Sequence, residues 1–358
     1  MISLAEQGER FIKLRRDECG RVLEQRSSVA GTTHSNHFQY DKLGRLRHAN
    51  NAQRKLSFHY HANGQQSEVW QDNWRLQHHH DNAGRRIRTQ LPDNHQIQYH
   101  YNNQGLLVAI EWDQQSVCTR EFDSNGRETQ RQQGNGIICQ QSFDVQGRLQ
   151  QQLWSHPQQS EHQRHYRYSL ADQLVGIEDS EQGASQYQFD VLDQLTSSQL
   201  PHQPEILFTF DSFGNPQRAT ADTLTSAADN GTDNCSDNSI DDTVCVSNDQ
   251  LLQWHDTHYR YDRFGNQVKT HSPQGNEQRR FNGLNQLTSF RKTGKYTQYH
   301  YDALGRRSAK ISESQRIDYL WDGDQLIGEH CNGEYRWYLY EPGSFSPVAL
   351  IAQGEIYY

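Results

Sequence analysis

The sequence predicts an all-β repeat protein, and two observations carry this prediction. A phrase of an aromatic residue, Asp, two variable residues, Gly and then Arg or Asn returns thirteen times along the 358 residues, counting looser copies. Successive copies are separated by 20, 20, 21, 21, 21, 25, 21, 21, 51, 20, 20 and 20 residues. Before most copies, aromatic and polar residues alternate with a period of two, as in a β-strand. A constant period of this length indicates a repeat architecture.

The phrase itself predicts a turn. Asp accepts backbone hydrogen bonds at the start of a type I turn, and Gly supplies the positive φ that closes a short hairpin. Where Gly is missing, the sequence has Asp172, Asp193 or Asn285, residue types that also tolerate positive φ. The copy at Trp321 is one residue shorter and predicts a tighter turn.

These residues are the predicted structural anchors of the repeat. They are Tyr40, Asp41, Gly44, Tyr60, Gly64, Gly84, Tyr101, Gly105, Phe122, Asp123, Gly126, Phe143, Asp144, Gly147, Phe189, Asp190, Phe210, Asp211, Gly214, Tyr261, Asp262, Gly265, Tyr301, Asp302 and Gly305.

The stretches before the turns predict strands with one aromatic face. Phe58-His59-Tyr60 and Tyr99-His100-Tyr101 place both rings on the same side. Stacked repeats are then expected to bring the rings into ladders, with cross-strand pairs contributing roughly 0.2–1 kcal/mol each. About 20 residues accommodate two strands and two turns, so the chain is expected to be a long succession of β-hairpins.

The phrase resembles the YD repeat of the Rhs family, which is shared with Tc-toxin C components and teneurins. Tyr259-Arg260-Tyr261-Asp262, Tyr319-Leu320-Trp321-Asp322 and Tyr338-Leu339-Tyr340-Glu341 resemble stretches of bacterial Rhs cores, and the repeat covers about residues 16–358. The resemblance implies a β-solenoid that spirals into a hollow shell, or β-cocoon, around a toxic C-terminal domain. A β-propeller is the alternative fold, because two repeats supply the four strands of a blade. Its glycine-histidine and Trp-Asp signatures are missing.

The phasing predicts four segments. Residues 1–37 are expected to be an irregular lead-in, and 38–213 a first block of YD repeats. Residues 214–258 are expected to be an Asp-rich loop insertion, and 259–358 a second block of YD repeats. Rhs cores end in a self-cleaving segment with an Asp-Pro motif, and this sequence has no Asp-Pro. We therefore expect the second block to be truncated before that region, leaving an incomplete shell.

Composition excludes several classes of function. Hydrophobic residues make up only 33% of the chain, but the regular spacing of its aromatic residues argues against disorder. The net charge is −9, without a dense basic patch, so no nucleic-acid partner is expected. The recurring turn arginines Arg45, Arg85, Arg127, Arg148 and Arg306 are interpreted as solvated. No apolar run or signal peptide is visible, so membrane insertion by this chain is not expected.

Three features could carry chemistry, and each has a simpler interpretation. The Asp-rich insertion lacks the spacing of a calcium loop. His59, His79, His100 and His300 share one repeat position, but an intervening strand separates them too widely for zinc. The same spacing predicts free thiols at Cys118 and Cys139, whereas Cys235 and Cys245 remain a possible pair. No catalytic motif is present, so we expect no catalytic, cofactor or metal site.

The resemblance implies a non-catalytic, encapsulating shell segment of an Rhs-type toxin, delivered by type VI secretion in bacterial competition. Its implied partners are the C-terminal toxin domain, the remainder of the Rhs core, and a secretion spike protein or a second copy. The implied location is the bacterial cytoplasm before secretion. An adhesion or carbohydrate-binding repeat module is the alternative, in which exposed rings stack on sugars.

Overall fold

Every regular element in the computed structural model is a β-strand, within the residues that the structure describes: 2–7, 10–210, 214, 216–218, 244–247 and 249–358. The predicted all-β class is confirmed, and no helix interrupts residues 38–210. The chain forms two compact units, one of Met1–Gln98 with Thr232–Tyr358 and one of Tyr99–Gly231.

The first unit contains two runs of consecutive antiparallel strands, and β10 contains its boundary with the second unit. The first run is β1 (Ile2–Gln7), β2 (Arg10–Arg16), β3 (Val22–Val29), β4 (Thr32–Tyr40), β5 (Leu46–Asn50), β6 (Lys55–Tyr60), β7 (Gln66–Gln71), β8 (Trp74–His80), β9 (Arg86–Gln90) and β10 (Gln96–Tyr101).

The second unit is a further run of consecutive antiparallel pairs. Its strands are β11 (Leu107–Trp112), β12 (Gln115–Phe122), β13 (Glu128–Gln133), β14 (Ile138–Phe143), β15 (Leu149–His156), β16 (Gln159–Tyr168), β17 (Leu174–Asp179), β18 (Gly183–Phe189), β19 (Leu195–Gln199), β20 (Ile206–Phe210) and β21 (Pro216–Arg218).

The first unit's other run follows the same pattern. Its strands are β22 (Val244–Ser247), β23 (Gln250–Trp254), β24 (Thr257–Tyr261), β25 (Gln267–Ser272), β26 (Gly275–Phe281), β27 (Leu287–Lys292), β28 (Lys295–Tyr301), β29 (Arg307–Ser312), β30 (Arg316–Asp322), β31 (Gln325–Cys331), β32 (Glu334–Tyr340), β33 (Pro347–Ala352) and β34 (Glu355–Tyr357).

Regular pairing begins before residue 38 and resumes before residue 259. Asp17 starts a complete turn, because its N–H donates to the Arg21 carbonyl at 2.9 Å and its carbonyl accepts from the Gly20 N–H at 3.1 Å. This turn joins β2 to β3 inside the stretch expected to be irregular. Likewise, β22 and β23 pair within residues 214–258. The remainder of the Asp-rich insertion lies outside the described residues.

The strand register shifts by one residue at the aromatic anchor of the repeat. The shift falls between Gln39 and Tyr40, between His59 and Tyr60, and again between Ser142 and Phe143. It recurs before Tyr261 and Tyr301 in the later run. A type I turn closed by a left-handed residue produces such a bulge, so local turn chemistry sets the register of each hairpin.

The core of the first unit mixes aliphatic and polar side chains. Leu56, Leu76 and Leu320 are each 0% exposed, as expected for the apolar face of a strand. The largest fully buried side chains of the chain also include Arg54 and His78. Buried charged or titratable groups require partners, and those partners define the site described below.

Candidate functional site

Most of the described YD turns are held by the carboxylate of their own Asp. In the turn at Asp41, Oδ1 accepts hydrogen bonds from the N–H groups of Leu43 and Arg45, both at 2.9 Å. Oδ2 accepts from Nε of Arg45 at 2.7 Å. One carboxylate thus satisfies three donors. In the equivalent turn, the N–H of Arg85 is the main reason that the pKa of Asp81 lies below its ordinary value.

The glycine of the turn has the backbone conformation that the phrase predicts. Gly44 has φ of 81° and its N–H donates to the Asp41 carbonyl at 3.0 Å. The replacements Asp172, Asp193 and Asn285 have φ of 64°, 61° and 58°, so the prediction of positive φ at these positions is confirmed. The other predicted turn glycines Gly64, Gly84, Gly105, Gly126, Gly147, Gly214, Gly265 and Gly305 also lie at positive φ.

Where the anchor is Tyr or Trp, its side chain ties the repeat to the one before it. The hydroxyl of Tyr60 donates to the Leu46 carbonyl at 2.8 Å, and that of Tyr301 donates to the Leu287 carbonyl at 2.9 Å. In the shorter copy, Nε1 of Trp321 replaces the hydroxyl and donates to the Arg307 carbonyl at 2.8 Å. Equivalent bonds are made by Tyr40, Tyr168 and Tyr261.

The turn arginine of one repeat lies over the anchor ring of the next repeat. The guanidinium of Arg45 lies 4.6 Å from the centroid of the Tyr60 ring, and that of Arg148 lies 4.7 Å from Tyr168. The same arrangement is found for Arg21 over Tyr40, Arg127 over Phe143 and Arg306 over Trp321.

This arrangement corrects two sequence-based interpretations. The turn arginines Arg45, Arg127, Arg148 and Arg306 are not simply solvated, because each binds an Asp and lies over a ring. Arg85 binds Asp81. At these anchors, guanidinium–ring contacts take the place of the expected ladder of direct ring contacts. The reason is distance: two strands per repeat space the anchors about 9–10 Å apart, whereas ring pairs require roughly 4.5–7 Å.

The other anchors fit the same frame with local substitutions. Asn102 replaces Asp after Tyr101, and its Oδ1 accepts from the N–H groups of Gln104 and Leu106, both at 3.0 Å. After Tyr60 the turn has His61, and Oδ1 of Asn63 accepts from the Gln65 N–H at 3.1 Å in addition to the backbone bonds. Asp190 and Asp262 use Oδ1 as Asp41 does. Phe210 is half-buried, and Asp211 lies outside the described residues.

A second set of contacts joins the two strand runs of the first unit, and we call it the polar seam. Its members on the early run are Asn51, Gln53, Arg54, Gln71, Trp74, His78, Arg86 and Asp93, and those on the late run are Tyr301, Asp318, Tyr319, Trp321, Asp322, Tyr335 and Trp337. The strand ladder does not connect these residues, so side chains make the junction.

Amide side chains of the seam bind the backbone of two anchor residues. Nε2 of Gln71 donates to the Trp321 carbonyl at 2.8 Å, while its Oε1 accepts from the Trp321 N–H at 3.1 Å. Tyr301 is bound in the same way by two side chains, with Asn51 on its carbonyl at 2.9 Å and Gln53 on its N–H at 2.8 Å. The bulge at each anchor takes the backbone N–H and carbonyl of Tyr301 and Trp321 out of the regular strand ladder. The amide side chains supply the hydrogen-bond partners that a neighbouring strand would otherwise provide.

Arg54 is the buried cation of the seam, with 0% of its side chain exposed. Nη2 lies 3.0 Å from Oδ1 of Asp318, and Nη1 donates to the Tyr319 carbonyl at 2.6 Å. Nε lies 3.2 Å from Oδ2 of Asp72, and the guanidinium stands 5.0 Å from the centroid of Trp74. The desolvation cost of burying this charge is therefore offset by two carboxylates, a carbonyl and a ring.

His78, Arg86 and Asp322 form the second buried cluster. Arg86 is hydrogen-bonded to Asp322, and Nε2 of His78 lies 3.6 Å from Oδ1 of that carboxylate. Burial lowers the pKa of His78 from 6.5 to about 4, although the carboxylate opposes the shift. Burial is the largest influence on Asp322 and raises its pKa, but Arg86, His78 and Arg306 together outweigh it, so the pKa lies below its ordinary value. The imidazole is thus neutral at pH 7.

Two indole donors extend the seam. Nε1 of Trp74 donates to the hydroxyl of Tyr335 at 3.1 Å, and Nε1 of Trp337 donates to Oδ2 of Asp93 at 2.7 Å. The rings of Tyr335 and Trp337 stack with centroids 5.2 Å apart. Buried indoles normally find an acceptor, and here both acceptors lie on the opposite strand run.

Sequence reasoning missed the seam residues. Gln71 and Arg54 lie at polar positions that resemble solvent-facing ones, and their partners lie 250 and 265 residues away. One signal was available in the run His78-His79-His80, where only His78 is fully buried. A polar residue on the same strand face as Leu76 indicates a buried partner for it.

A polar cleft of about 380 Å³ opens beside the seam. Its lining includes Asn36, Asn51, Asn282, Gln286 and Tyr301. The amides already bind one another, with Nδ2 of Asn51 at 3.1 Å from Oδ1 of Asn36 and Nδ2 of Asn282 at 2.7 Å from Oε1 of Gln286. The amide side chains that line the cleft are therefore hydrogen-bonded to one another and stabilise the fold.

The remaining candidates for chemistry take ordinary places. No group of three or more potential metal ligands occurs within the described part of the chain. Most of the Asp-rich insertion lies outside that part. Cys118 and Cys139 are free, as predicted, and Cys245 is disulfide-bonded; Cys235 lies outside the described residues. Among the residues described, no helix has the length and apolarity needed to cross a bilayer.

Turns held by an Asp–Arg pair recur at a period of about 20 residues, with two strands in each repeat. This pattern defines a YD-repeat shell protein. The chain belongs to the teneurin YD-shell family, whose model matches residues 6–141 and 110–320. The expected Rhs and YD-repeat membership is thereby confirmed.

Relatives and solved structures agree with this assignment. The chain is similar to the toxin protein Tse5 of Pseudomonas aeruginosa, with 32% identity over 105 residues, 26% of this chain and 8% of that protein. It is 38% identical over 85 residues to the probable deoxyribonuclease RhsA of Dickeya dadantii, covering 22% of this chain and 6% of that protein. The chain thus spans less than a tenth of these relatives.

Two structures share the fold. The crystal structure of TcdB2-TccC3 without its hypervariable C-terminal region matches with a TM-score of 0.58 and 12% identity, over 99% of this chain and 23% of that one. The Tc holotoxin pore of Photorhabdus luminescens matches with a TM-score of 0.51 and 13% identity, over 95% of this chain and 18% of that one.

Proposed function

We propose that this chain is a non-catalytic wall segment of an Rhs-type toxin shell, which separates a toxic C-terminal domain from the cell that produces it. The observation that carries the proposal is the polar seam. Side chains of one strand run bind the backbone of the other, so the wall of the first unit continues where the strand ladder does not. A container requires such junctions, whereas an isolated binding module does not.

The Asp–Arg and anchor-ring contacts of the turns suit the same role. Each Asp satisfies its own turn, and each Arg and anchor ring bind the neighbouring repeat. The repeats therefore stack without a thick apolar core, which suits a thin wall that faces water on both sides. We propose that all 25 anchors of the sequence analysis serve this structural purpose, with Asp211 in its expected turn.

The proposed partners are the toxic domain, the remainder of the Rhs core, and a secretion spike protein or a second copy of the chain. The similarity to Tse5 supports a place in bacterial competition through type VI secretion, with synthesis in the cytoplasm and later secretion. We retain residues 1–37, 38–213, 214–258 and 259–358 as proposed segments, with strand pairing extending into the first and third.

The carbohydrate-binding alternative has less support. It requires rows of exposed rings on which sugars can stack. In the described residues the anchor rings Tyr40, Tyr60, Tyr168, Tyr261 and Tyr301 are half-buried and use their hydroxyl groups within the protein. The exposed rings, such as Trp254 at 50% and Phe345 at 70%, are scattered along the chain.

Protease protection tests the proposal on the full-length protein that carries this chain. A specific protease site is placed in its C-terminal domain, and cleavage is compared between the native protein and the separated domain. We expect strong protection in the native protein. Cleavage of both at the same rate would show that the wall encloses nothing.

Gln71→Ala connects this test to the seam. The substitution leaves the N–H and carbonyl of Trp321 without their partner, at about 1–3 kcal/mol for each group that stays buried. We expect faster cleavage of the C-terminal domain. Gln77→Ala, on the adjacent strand β8, is the matched control and should preserve protection. Equal protection in both variants would remove the seam from the mechanism.

A further inference from the structure

Four large apolar side chains stand exposed on three successive turns of the second unit. Val145 is 98% exposed, Leu170 109%, Val191 99% and Leu192 75%. All four lie between the first turn residue and the left-handed residue of the YD phrase. We call this set the apolar ledge.

The three turns of the ledge are in direct contact. Nη1 of Arg148 in the first turn lies 2.6 Å from Oδ1 of Asp172 in the second. Nε2 of Gln173 in the second turn lies 2.6 Å from Oδ1 of Asp193 in the third. Successive turns are two strands apart, about 9–10 Å, so the ledge extends over roughly 20 Å.

Neither the turn nor the core explains these residues. The first variable position of the preceding turns is occupied by Asn82, Asn103 and Ser124, and those turns have the same backbone bonds. The apolar side chains are exposed, so they add no burial within the chain. A row of neighbouring exposed apolar residues is typical of an interaction surface, unlike single ones.

The charge around the ledge is one-sided. The three turns carry the carboxylates of Asp144, Asp172, Asp190 and Asp193 and the single guanidinium of Arg148, which gives a net charge of −3. The side chain of Asp172 is 74% exposed even with Arg148 bound to it. A partner that adds Lys or Arg beside its apolar residues complements this surface.

We propose that the apolar ledge is the docking site for an amphipathic, basic helix of another protein. Seven residues of an α-helix rise about 10.5 Å, close to the spacing of the turns, so apolar residues at i, i+7 and i+14 face successive turns. An extended strand presents residues on one side every 6.4–6.8 Å or so and does not match this spacing. The proposal does not depend on encapsulation.

A designed peptide tests the site on the intact chain. The probe is a fluorescent helical peptide of about 20 residues with Leu at i, i+7 and i+14, flanked by Lys. We expect binding that weakens at least tenfold when Val145→Ser, Leu170→Asn, Val191→Ser and Leu192→Asn are combined. A peptide with Glu in place of Lys should bind at least tenfold more weakly. Absence of binding by the Lys peptide, or equal binding of the two peptides, would overturn the proposal.

The matched control uses isolated apolar residues in two turns of the first unit, at the second variable position that Leu192 occupies in the ledge. Leu43 is 76% exposed and Leu304 is 42% exposed. Leu43→Asn combined with Leu304→Asn should leave peptide binding unchanged, and thermal unfolding should show that both multiple variants fold. If the control weakens binding as much as the ledge variant does, the ledge is not the site. Self-association that only the ledge variant abolishes would assign the surface to a second copy instead.

Discussion

At the scale of single residues, the Asp and Gly of the YD turn could be predicted because their roles are local. The Asp41 carboxylate binds groups two and four residues further along the chain, and Gly44 closes the same turn. The role of Arg45 could not be predicted in this way. Its ring partner, Tyr60, is fifteen residues away and comes near only when the next repeat has folded.

Replacing Gly44 by Val tests the turn. Gly44 has φ of 81°, a region that a β-branched residue enters at a cost on the order of 1–3 kcal/mol. We expect the free energy of unfolding to fall by that amount in urea titrations. Lys42→Val places the same side chain in the same turn outside the positive-φ region and should change stability little. Equal losses would mean that bulk, not backbone conformation, is responsible.

Replacing Arg306 by Met tests the Asp–Arg contact of the turn where that contact is buried. The side chains of Arg306 and Asp302 are only 8% and 0% exposed, and Nε donates to Oδ2 at 2.8 Å. Removing the guanidinium leaves a buried carboxylate without its cation, which typically costs about 3–5 kcal/mol. Urea unfolding of the full chain measures the loss.

Arg85→Met is the control for this prediction, because it removes the same contact where water reaches it. The Arg85 side chain is 35% exposed, and its partner Asp81 is 21% exposed. We expect a clearly smaller loss than for Arg306→Met. If the two variants lose the same stability, burial does not determine the strength of the Asp–Arg contact.

At the scale of elements, strands and turns follow from the sequence, but the polar seam does not. The alternation of residues predicts which face of β7 and β8 is apolar, yet Gln71 and His78 are buried among the polar residues. Their partners, Trp321 and Asp322, belong to another run. Periodicity describes one strand at a time, so it carries no information about a junction between distant strands.

The buried imidazole predicts a loss of stability in mild acid. The pKa of His78 is about 4 when folded and about 6.5 when unfolded, so the unfolded chain binds the proton first as pH falls. This contribution is complete above pH 6.5 and is lost between about pH 6.5 and pH 4, on the order of 3 kcal/mol. The lowered pKa of Asp322 adds a further loss at still lower pH.

Denaturant unfolding from pH 7 to pH 4 measures this effect with His78→Gln. The variant should lose less stability over the interval than the native chain, whatever its stability at pH 7. Arg86 lies on the same carboxylate and remains charged throughout, so the difference reports the imidazole. His258→Gln, at an exposed strand position, should retain the native pH dependence. Parallel profiles for native chain and His78→Gln would refute the assignment.

At the scale of the whole chain, the period of about 20 residues was sufficient to predict a β-repeat fold and its family. It was not sufficient to place the limits of the repeat. Degenerate phrases such as Asp17-Glu18-Cys19-Gly20-Arg21 lack the aromatic anchor yet form complete turns, because the backbone and the Asp–Arg pair suffice. Residues that lack the phrase, such as Val244–Ser247, nevertheless pair as strands.

A deletion tests which part of the Asp-rich insertion the fold requires. Replacing residues 219–243 by a short Gly/Ser linker keeps β21 and β22, and loop length changes closure entropy by only about 0.6 kcal/mol per doubling. We expect the strand signal in circular dichroism and the cooperative melt to persist under reducing conditions, which remove the Cys245 disulfide from the comparison.

A longer deletion is the contrasting case. Removing residues 219–248 also removes β22 and leaves the edge of β23 without its partner strand. An unpaired edge of this kind promotes association, so light scattering should rise for the longer deletion alone. Loss of the cooperative melt in the shorter deletion would show that its residues are part of the packed structure.

The long sequence separation across the polar seam also sets an order of events during synthesis. The contacts of Asn51, Arg54 and Gln71 join residues 250, 265 and 250 positions apart. At about 5–20 residues per second, the early run waits roughly 12–50 s for its partner to leave the ribosome. Hairpins form within about 1–10 μs, so the early turns close at once while Arg54 stays in water. The oldest part of the nascent chain is therefore among the last to be completed.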